Sequence, residues 1–290
     1  MPVDFRCSLA SADDDEPIAG TAPTETDWLF VEQRGPWAAK ATGHLAGLVG
    51  VNGRAQLIRR HGGRASPGAG VRLFRATLGA TLGDTPTITT ALIDDVDNSA
   101  GPADPADPAN LERIAEAHFT PYDAPLWLVC TNGRRDRCCA ERGRPVVAAL
   151  ADRWPEATWE TTHLGGHRFA ATLLALPHAI TLGRLDPASA VSACAGLEQG
   201  RLDLDVVRGH AGRPPAAQAA ELHLRRRHGW IGLDDVTPVS VSDGTVTLRT
   251  PDGLVTVTME SVPGDPRRPS CADEASKVVA TWQFVGAVPG

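Results

Sequence analysis

The chain has 290 residues, 42% of them hydrophobic, and a formal net charge of -7. This is the composition of a globular protein with two or three subdomains, and the acidic balance argues against nucleic-acid binding. The chain also shows no basic-then-apolar start and no apolar stretch of membrane length, so we expect a cytoplasmic protein without a membrane partner.

The first part of the chain is predicted to be rich in strands. Residues 1–27 are expected to form a flexible or surface-hugging lead-in, because 9–27 are small, acidic and aperiodic. A strand is predicted at 28–32, and the stretches RAQLIRR, VRLFRATL and TITTALID alternate apolar and polar residues as half-buried strands do. Residues 28–108 are therefore predicted to be an N-terminal α/β part.

The segment 99–110 is rich in Pro, Asp and Ala and predicts a linker, with a domain boundary near its end. Asp107 and Pro108 suit the start of a helix, as N-cap and first helical residue. The apolar run 125–130 predicts a strand buried on both faces, which ends at Cys130. A polar loop is expected to follow it.

The next elements are predicted from apolar patterns and prolines. Pro145 is expected to open a helix that Pro155 stops, and a strand at 158–162 should lead into the segment HLGGHR. Two apolar runs then predict a hairpin around Pro177-His178. A further helix is predicted from Asp186 to near Gly200.

This order of elements resembles a reduced thioredoxin-like unit, which we assign to residues 109–205. Residues 206–290 are predicted to be a C-terminal α+β extension, with a helix at 216–227 and a β-hairpin built on Asp243-Gly244. The fold class predicted from these patterns is therefore α/β (α+β).

Half of the six cysteines lie in one short segment, residues 130–139. A reducing compartment makes a disulfide framework a poor explanation for them, and three of them lie within ten residues. Cys194 is expected to be a small core residue on an apolar helix face, whereas Cys7 and Cys271 fall in polar terminal regions. The six are Cys7, Cys130, Cys138, Cys139, Cys194 and Cys271.

Two pairs of residues can supply ligands to a metal. Cys130 and Cys139 bracket eight residues, and His163 and His167 bracket three. Gly165 and Gly166 between the histidines disfavour a helix interior, by roughly 1 kcal/mol each relative to Ala. The resulting loop can point both imidazoles inward and let the backbone approach inorganic sulfide.

Two thiolates and two imidazoles can hold either one zinc ion or a 2Fe-2S cluster. A spacer of eight residues is loose for the two to four that usually separate zinc-finger thiols. A cluster is wider, and pairs of histidines bind one iron in Rieske centres. The spacing therefore favours the cluster and leaves zinc as the alternative.

The segments VCTNGRRDRCCAERG and THLGGHRFA resemble the sucrase/ferredoxin-like proteins. The resemblance is strong over residues 120–185 and extends back to Trp28. It implies a thioredoxin-like ferredoxin domain in which Cys130 and Cys139 bind one iron of a 2Fe-2S cluster, while His163 and His167 bind the other. The family pattern has a His where this chain has Asn132, so the role of that His is not carried over.

The resemblance implies an electron carrier without a substrate site of its own. A ligand imidazole whose outer N–H faces solvent can lose a proton on oxidation, so we also predict proton-coupled one-electron transfer. Arg168 could offset charge or donate to a sulfide, and Asp136 could fix the loop or an imidazole, although either could instead form a structural ion pair. No nucleotide-binding fingerprint is present, so a separate reductase and a separate electron acceptor are expected as partners.

Two rival functions remain open from the sequence. The same two Cys and two His could form a structural zinc site. Alternatively, Cys138 and Cys139 could serve a thiol redox enzyme, because three nearby arginines could lower a thiolate pKa. On the cluster interpretation, Cys138 is a spare thiol.

Overall fold

The computed structural model describes residues 5–63, 70–78, 82, 84–94 and 108–289. Its first half is dominated by strands, and the strands predicted from alternating patterns are confirmed. The lead-in additionally contains a short helix that the sequence analysis did not predict. The elements are α1 (Cys7–Asp13), β1 (Asp27–Glu32), β2 (Gly53–Arg60), β3 (Gly70–Thr77), β4 (Thr87–Asp94), α2 (Pro108–Ala115) and β5 (Thr120–Pro121).

The middle of the chain follows the predicted order of strand, helix, strand, loop, two strands in a hairpin, and helix. Asp186 caps the second of these helices as expected, because its carboxylate accepts a hydrogen bond from the Ser189 amide. The elements are β6 (Leu126–Cys130), α3 (Arg137–Arg153), β7 (Thr158–Thr161), β8 (Leu173–Leu176), β9 (Ile180–Leu182), α4 (Pro187–Glu198) and β10 (Val207–His210).

The prediction that Pro145 opens a helix is wrong. Helix α3 begins at Arg137, and Pro145 lies inside it. The helix starts eight residues before Pro145 because the Asp136 carboxylate accepts a hydrogen bond from the Cys138 amide. This bond satisfies one of the free N–H groups in the first turn of the helix. Cys138 and Cys139 therefore lie on a helical turn and not in a polar loop.

One sheet contains strands from both predicted parts, in the order β10-β9-β8-β6-β7-β2-β1-β3-β4-β5 within the described ranges. The parts join where β2 pairs antiparallel with β7, with Ile58 opposite Thr161. Strands β6 and β7 are parallel. The predicted boundary near residue 108 thus falls within a continuous sheet, and residues 99–107 of the predicted linker lie outside the described residues.

Strand β6 is buried on both faces, as its apolar run predicts. Trp127 and Val129 pack in one core cluster with residues of α3 and α4. Leu128 and Cys130 pack on the opposite side, in a second cluster that includes Trp159. Because successive side chains of a strand alternate between faces, Cys130 is delivered to the second face at the end of β6.

The C-terminal part contains α5 (Pro215–His228) and a separate sheet of four strands, where only one hairpin was predicted. Trp282 and Phe284 pack against the core between this helix and sheet. Among the described residues, none of the helices has the length and apolar character that a membrane crossing requires. The strands are β11 (Thr237–Ser242), β12 (Thr245–Thr250), β13 (Gly253–Pro263) and β14 (Ala280–Pro289).

Candidate metal centre

Cys130 and Cys139 are brought together by the connection from β6 to α3. Cys130 is the last residue of β6, and Cys139 lies in the first turn of α3. Gly143, one turn further along the helix, lies directly against the Cys130 carbonyl, where a Cβ atom would overlap the oxygen. This close contact holds the start of α3 against the end of the strand, so the two thiols share one space.

The two histidines lie on the loop after β7, as predicted. Gly165 and Gly166 adopt φ values of 91° and 69°, in the left-handed region that favours glycine. Gly166 also packs against the Arg208 guanidinium, leaving no room for a Cβ atom. The glycine pair therefore turns the chain sharply between His163 and His167.

The structure brings the four predicted ligand residues to one place. Ligand atoms of Cys130, Cys139 and His163 lie within 4.8 Å of one another. His167 Nδ1 lies 3.4 Å from His163 Nε2. Both thiols are buried and both imidazoles are partly exposed, so the site has a closed cysteine end and a more open histidine end.

The hydrogen bonds of the two imidazoles fix which nitrogens carry protons. His167 Nε2 lies 2.5 Å from the Pro269 carbonyl oxygen, and because a carbonyl can only accept, Nε2 is the protonated nitrogen. His167 Nδ1 then accepts from His163 Nε2. This leaves His163 Nδ1 with a buried lone pair that has no hydrogen-bond partner within the described ranges.

The thiols differ in acidity. The Cys139 thiol donates to the Cys130 sulfur and, together with the His163 ring, holds the pKa of Cys130 well below its ordinary value despite burial. The same hydrogen bond, with burial, raises the pKa of Cys139. Burial lowers the pKa of His167, which keeps its imidazole neutral. A thiolate and a neutral imidazole are the forms that bind metals.

Two arginines support the histidine loop, the half-buried Arg54 and the buried Arg208, and the sequence analysis missed both. Arg54 donates to the His163 carbonyl at 2.5 Å, and Arg208 donates to the Gly165 carbonyl at 3.1 Å. Burial lowers the pKa of Arg208 to about 9, so it remains a cation at neutral pH beside Cys130. Neither arginine belongs to a sequence motif that would predict its role, because each contact joins positions that are distant in sequence.

Arg168 and Asp136 make contacts that bear on their two possible roles. Arg168 forms an ion pair with the buried Glu16, as the structural alternative envisages. Asp136 caps α3, and its Oδ2 lies 4.0 Å from His167 Nε2. Asp136 therefore fixes the loop and lies near an imidazole.

Cys138 belongs to a different group of thiols. Its sulfur lies 3.7 Å from that of Cys7 and 3.3 Å from that of Cys271, beside the Asp136 carboxylate. Cys138 thus lies apart from the four predicted ligands, and Cys7, which comes from a polar terminal region of the sequence, is buried beside it. The Cys7 thiol donates to Cys138 and lowers its pKa to about 6, against burial. No spacing could reveal this group, since its members lie at the two ends and the middle of the chain.

Two cavities adjoin the histidine end of the site. His163, Arg54 and Asn132 line one of about 600 Å³. His167 and Trp282 are among the residues that line the other, of about 460 Å³. The histidines are thus reached from two sides, whereas the cysteines are enclosed.

Comparison with protein families places the site within one matched region. The model of a family described as sucrase/ferredoxin-like matches residues 18–209, which is more than half of the chain and includes all four predicted ligand residues. No curated protein and no solved structure matches the chain.

Proposed function

Because the chain belongs to the sucrase/ferredoxin-like family, we propose that it binds a 2Fe-2S cluster through Cys130, Cys139, His163 and His167 and serves as an electron-transfer protein. The observation that carries the proposal is the convergence of two buried thiols and two imidazoles from separate loops. The order of elements from β6 to α4 agrees with the thioredoxin-like ferredoxin unit proposed for this region.

The donor atoms fit such a group. His163 Nδ1 has a lone pair without a partner in the described part of the chain, and a buried polar atom of this kind calls for a missing ligand. His167 donates its outer N–H to the Pro269 carbonyl, which is how metal-binding histidines are usually oriented. We therefore assign His163 Nδ1 as one nitrogen donor. His167 Nδ1 would be the other, and a metal bound there would replace the hydrogen bond that this nitrogen accepts from His163 Nε2.

The surrounding residues would set the properties of the site. A bound cluster supplies one-electron redox chemistry, and two neutral imidazoles should raise its potential above the about -400 mV of plant-type ferredoxins. Arg54 and Arg208 offset the negative charge of Cys130, and burial of the cysteine end excludes water. The His167 proton is held on Nε2 by Pro269.

The partly exposed histidine end is the side that we propose for electron exchange, because electron transfer requires a short distance between partners. We propose a separate reductase as donor and a separate protein as acceptor, both in the cytoplasm. The cavities beside His163 and His167 leave this end open to approach.

Two further functions have some support. A structural zinc site is favoured by the mutual distances within 4.8 Å among the donors of Cys130, Cys139 and His163, which a single ion could bridge after small shifts. A thiol redox function is favoured by the pKa of Cys138, which hydrogen bonds lower to about 6.

Anaerobic purification followed by iron, acid-labile sulfide and zinc analysis, with EPR of the reduced protein, tests the proposal. We expect two irons and two sulfides per chain and an EPR signal on one-electron reduction. His163→Ala should lose them, and His118→Ala, at an exposed position outside the site, should not. Zinc without iron or sulfide, with one equivalent lost in His163→Ala, would support a zinc site at these four residues, and metal-free protein would leave only the thiol function.

A further inference from the structure

Three thiols from distant parts of the chain meet beside Asp136. Cys7 is the first residue of α1, Cys138 lies in the first turn of α3, and Cys271 lies between β13 and β14. Their sulfurs are 3.3 Å apart for Cys138 and Cys271, 3.6 Å for Cys271 and Cys7, and 3.7 Å for Cys7 and Cys138. The three form a nearly equilateral triangle.

The Asp136 carboxylate lies against this triangle. Its Oδ1 is 3.2 Å from the Cys271 sulfur and 3.6 Å from the Cys7 sulfur. Cys7, Cys138 and Asp136 are each less than 5% exposed, so the four donors enclose a space that is closed to solvent on most sides. Such closure is typical of structural metal sites, whereas catalytic sites keep a position open.

The distances match the donors around a single tetrahedral ion. Sulfurs bound at about 2.3 Å to one zinc lie roughly 3.8 Å apart, and a carboxylate oxygen at about 2.0 Å lies roughly 3.5 Å from each of them. The three sulfur distances differ by only 0.4 Å between the shortest and the longest, 3.3 and 3.7 Å. A disulfide would instead pair two of the thiols and leave the third apart.

We propose that Cys7, Cys138, Cys271 and Asp136 form a structural zinc site. Neighbouring groups complete it: the Cys271 amide donates to Asp136 Oδ2 at 2.8 Å, and the Cys138 amide donates to Asp136 Oδ1 at 2.9 Å. These bonds orient the carboxylate as outer-shell hydrogen bonds orient metal ligands.

The zinc site would fasten three segments that ion pairs also join, because Arg6 pairs with Glu141 of α3 and Arg267 pairs with Asp14. It ties α1 and the segment before β14 to the start of α3. Pro269 accepts a hydrogen bond from His167 and lies two residues before Cys271. The zinc site therefore also holds this segment over the histidine end of the proposed cluster site. None of the four zinc donors is among the four residues proposed for the 2Fe-2S cluster, and the two proposals stand or fall separately.

Metal analysis of the full chain tests the proposal. Wild-type protein grown with zinc should carry one zinc per chain besides any metal at the first site. Cys7→Ser and Cys271→Ser should each lose that one equivalent while keeping the iron and sulfide of the wild type. Cys271→His should retain it, because imidazole also binds zinc. Cys194→Ser, at a buried cysteine of α4 outside both groups, is the matched control and should lose nothing.

Retention of all the wild-type zinc in both serine variants overturns the proposal. If those variants do not fold, the native wild type supplies a second test: a chelator should release one zinc and expose three additional thiols to a thiol reagent. Release of zinc without additional reactive thiols, or wild-type protein that carries no zinc after growth with zinc, also overturns it. Loss of iron alone in other variants bears only on the first site.

Discussion

Cys138 and Cys139 are neighbours in the sequence, but their sulfur atoms belong to two separate groups in the fold. Consecutive residues on a helix point about 100° apart, so the first turn of α3 directs one thiol toward Cys130 and the other toward Cys7. Asp136, which caps this turn, therefore fixes the placement of both groups at once.

This separation predicts different outcomes for the two cysteines. Cys139→Ser should lose iron and acid-labile sulfide, because it removes one of the two thiols beside His163. Cys138→Ser should keep both, and with them the visible colour. Iron and sulfide analysis distinguishes the variants, and the reverse pattern would show that the ligand assignment within the pair is wrong.

The two histidines proposed as cluster ligands predict a pH-dependent reduction potential. An N–H on a ligand histidine is lost more easily from the oxidised protein, so the oxidised state gains stability as pH rises and the potential falls. The slope should approach about 59 mV per pH unit when one proton accompanies one electron. Protein film voltammetry from neutral to alkaline pH measures this, and a flat potential would contradict proton coupling.

The glycine turn between the histidines predicts a position-specific cost. Gly166 and Gly200 have similar φ values, 69° and 72°, but Gly166 faces the Arg208 guanidinium whereas Gly200 faces open space. Gly200→Ala should cost roughly 1–2 kcal/mol of unfolding free energy from the left-handed backbone alone. Gly166→Ala should cost more and should reduce the iron content, as measured by urea unfolding and metal analysis. Equal costs would mean that the Arg208 contact does not constrain the loop.

The ion pair between Arg168 and Glu16 predicts strong coupling, because both side chains are largely buried. Arg168→Met should destabilise the protein on the order of 3 kcal/mol by leaving Glu16 as an uncompensated buried charge. The double variant that also carries Glu16→Gln should lose less unfolding free energy than the two single variants lose together. Denaturant unfolding tests the coupling, and a changed reduction potential in Arg168→Met alone would favour the role beside the cluster.

The cap of α4 predicts a pH-dependent contribution to stability. Hydrogen bonds from Ser189 lower the pKa of Asp186, so the carboxylate stabilises the fold above its unfolded pKa. This stability is lost as pH falls through the lower folded pKa. Asp186→Ala should cost about 1 kcal/mol at neutral pH and less in acid. Asp186→Asn, a neutral cap, should show a weaker pH dependence in urea unfolding.

The sequence by itself determined most strands of the larger sheet, the buried strand that ends at Cys130 and the glycine-hinged histidine loop. These features depend on local patterns: alternation of apolar residues, an apolar run and a Gly-Gly pair between two histidines. The four proposed ligands could also be selected from spacing and resemblance, since each pair lies within one loop. The start of α3 was misplaced because Pro145 is a strong helix-start signal, whereas the capping by Asp136 is a weaker one.

Only the tertiary structure decided what surrounds these residues. Arg54 and Arg208 reach the histidine loop from strands β2 and β10, and Cys7 and Cys271 reach Cys138 from opposite ends of the chain. Such contacts join segments whose sequence separation exceeds any motif. They arise because the sheet and its helices bring distant backbone segments together. A local sequence pattern does not encode which distant segments will meet.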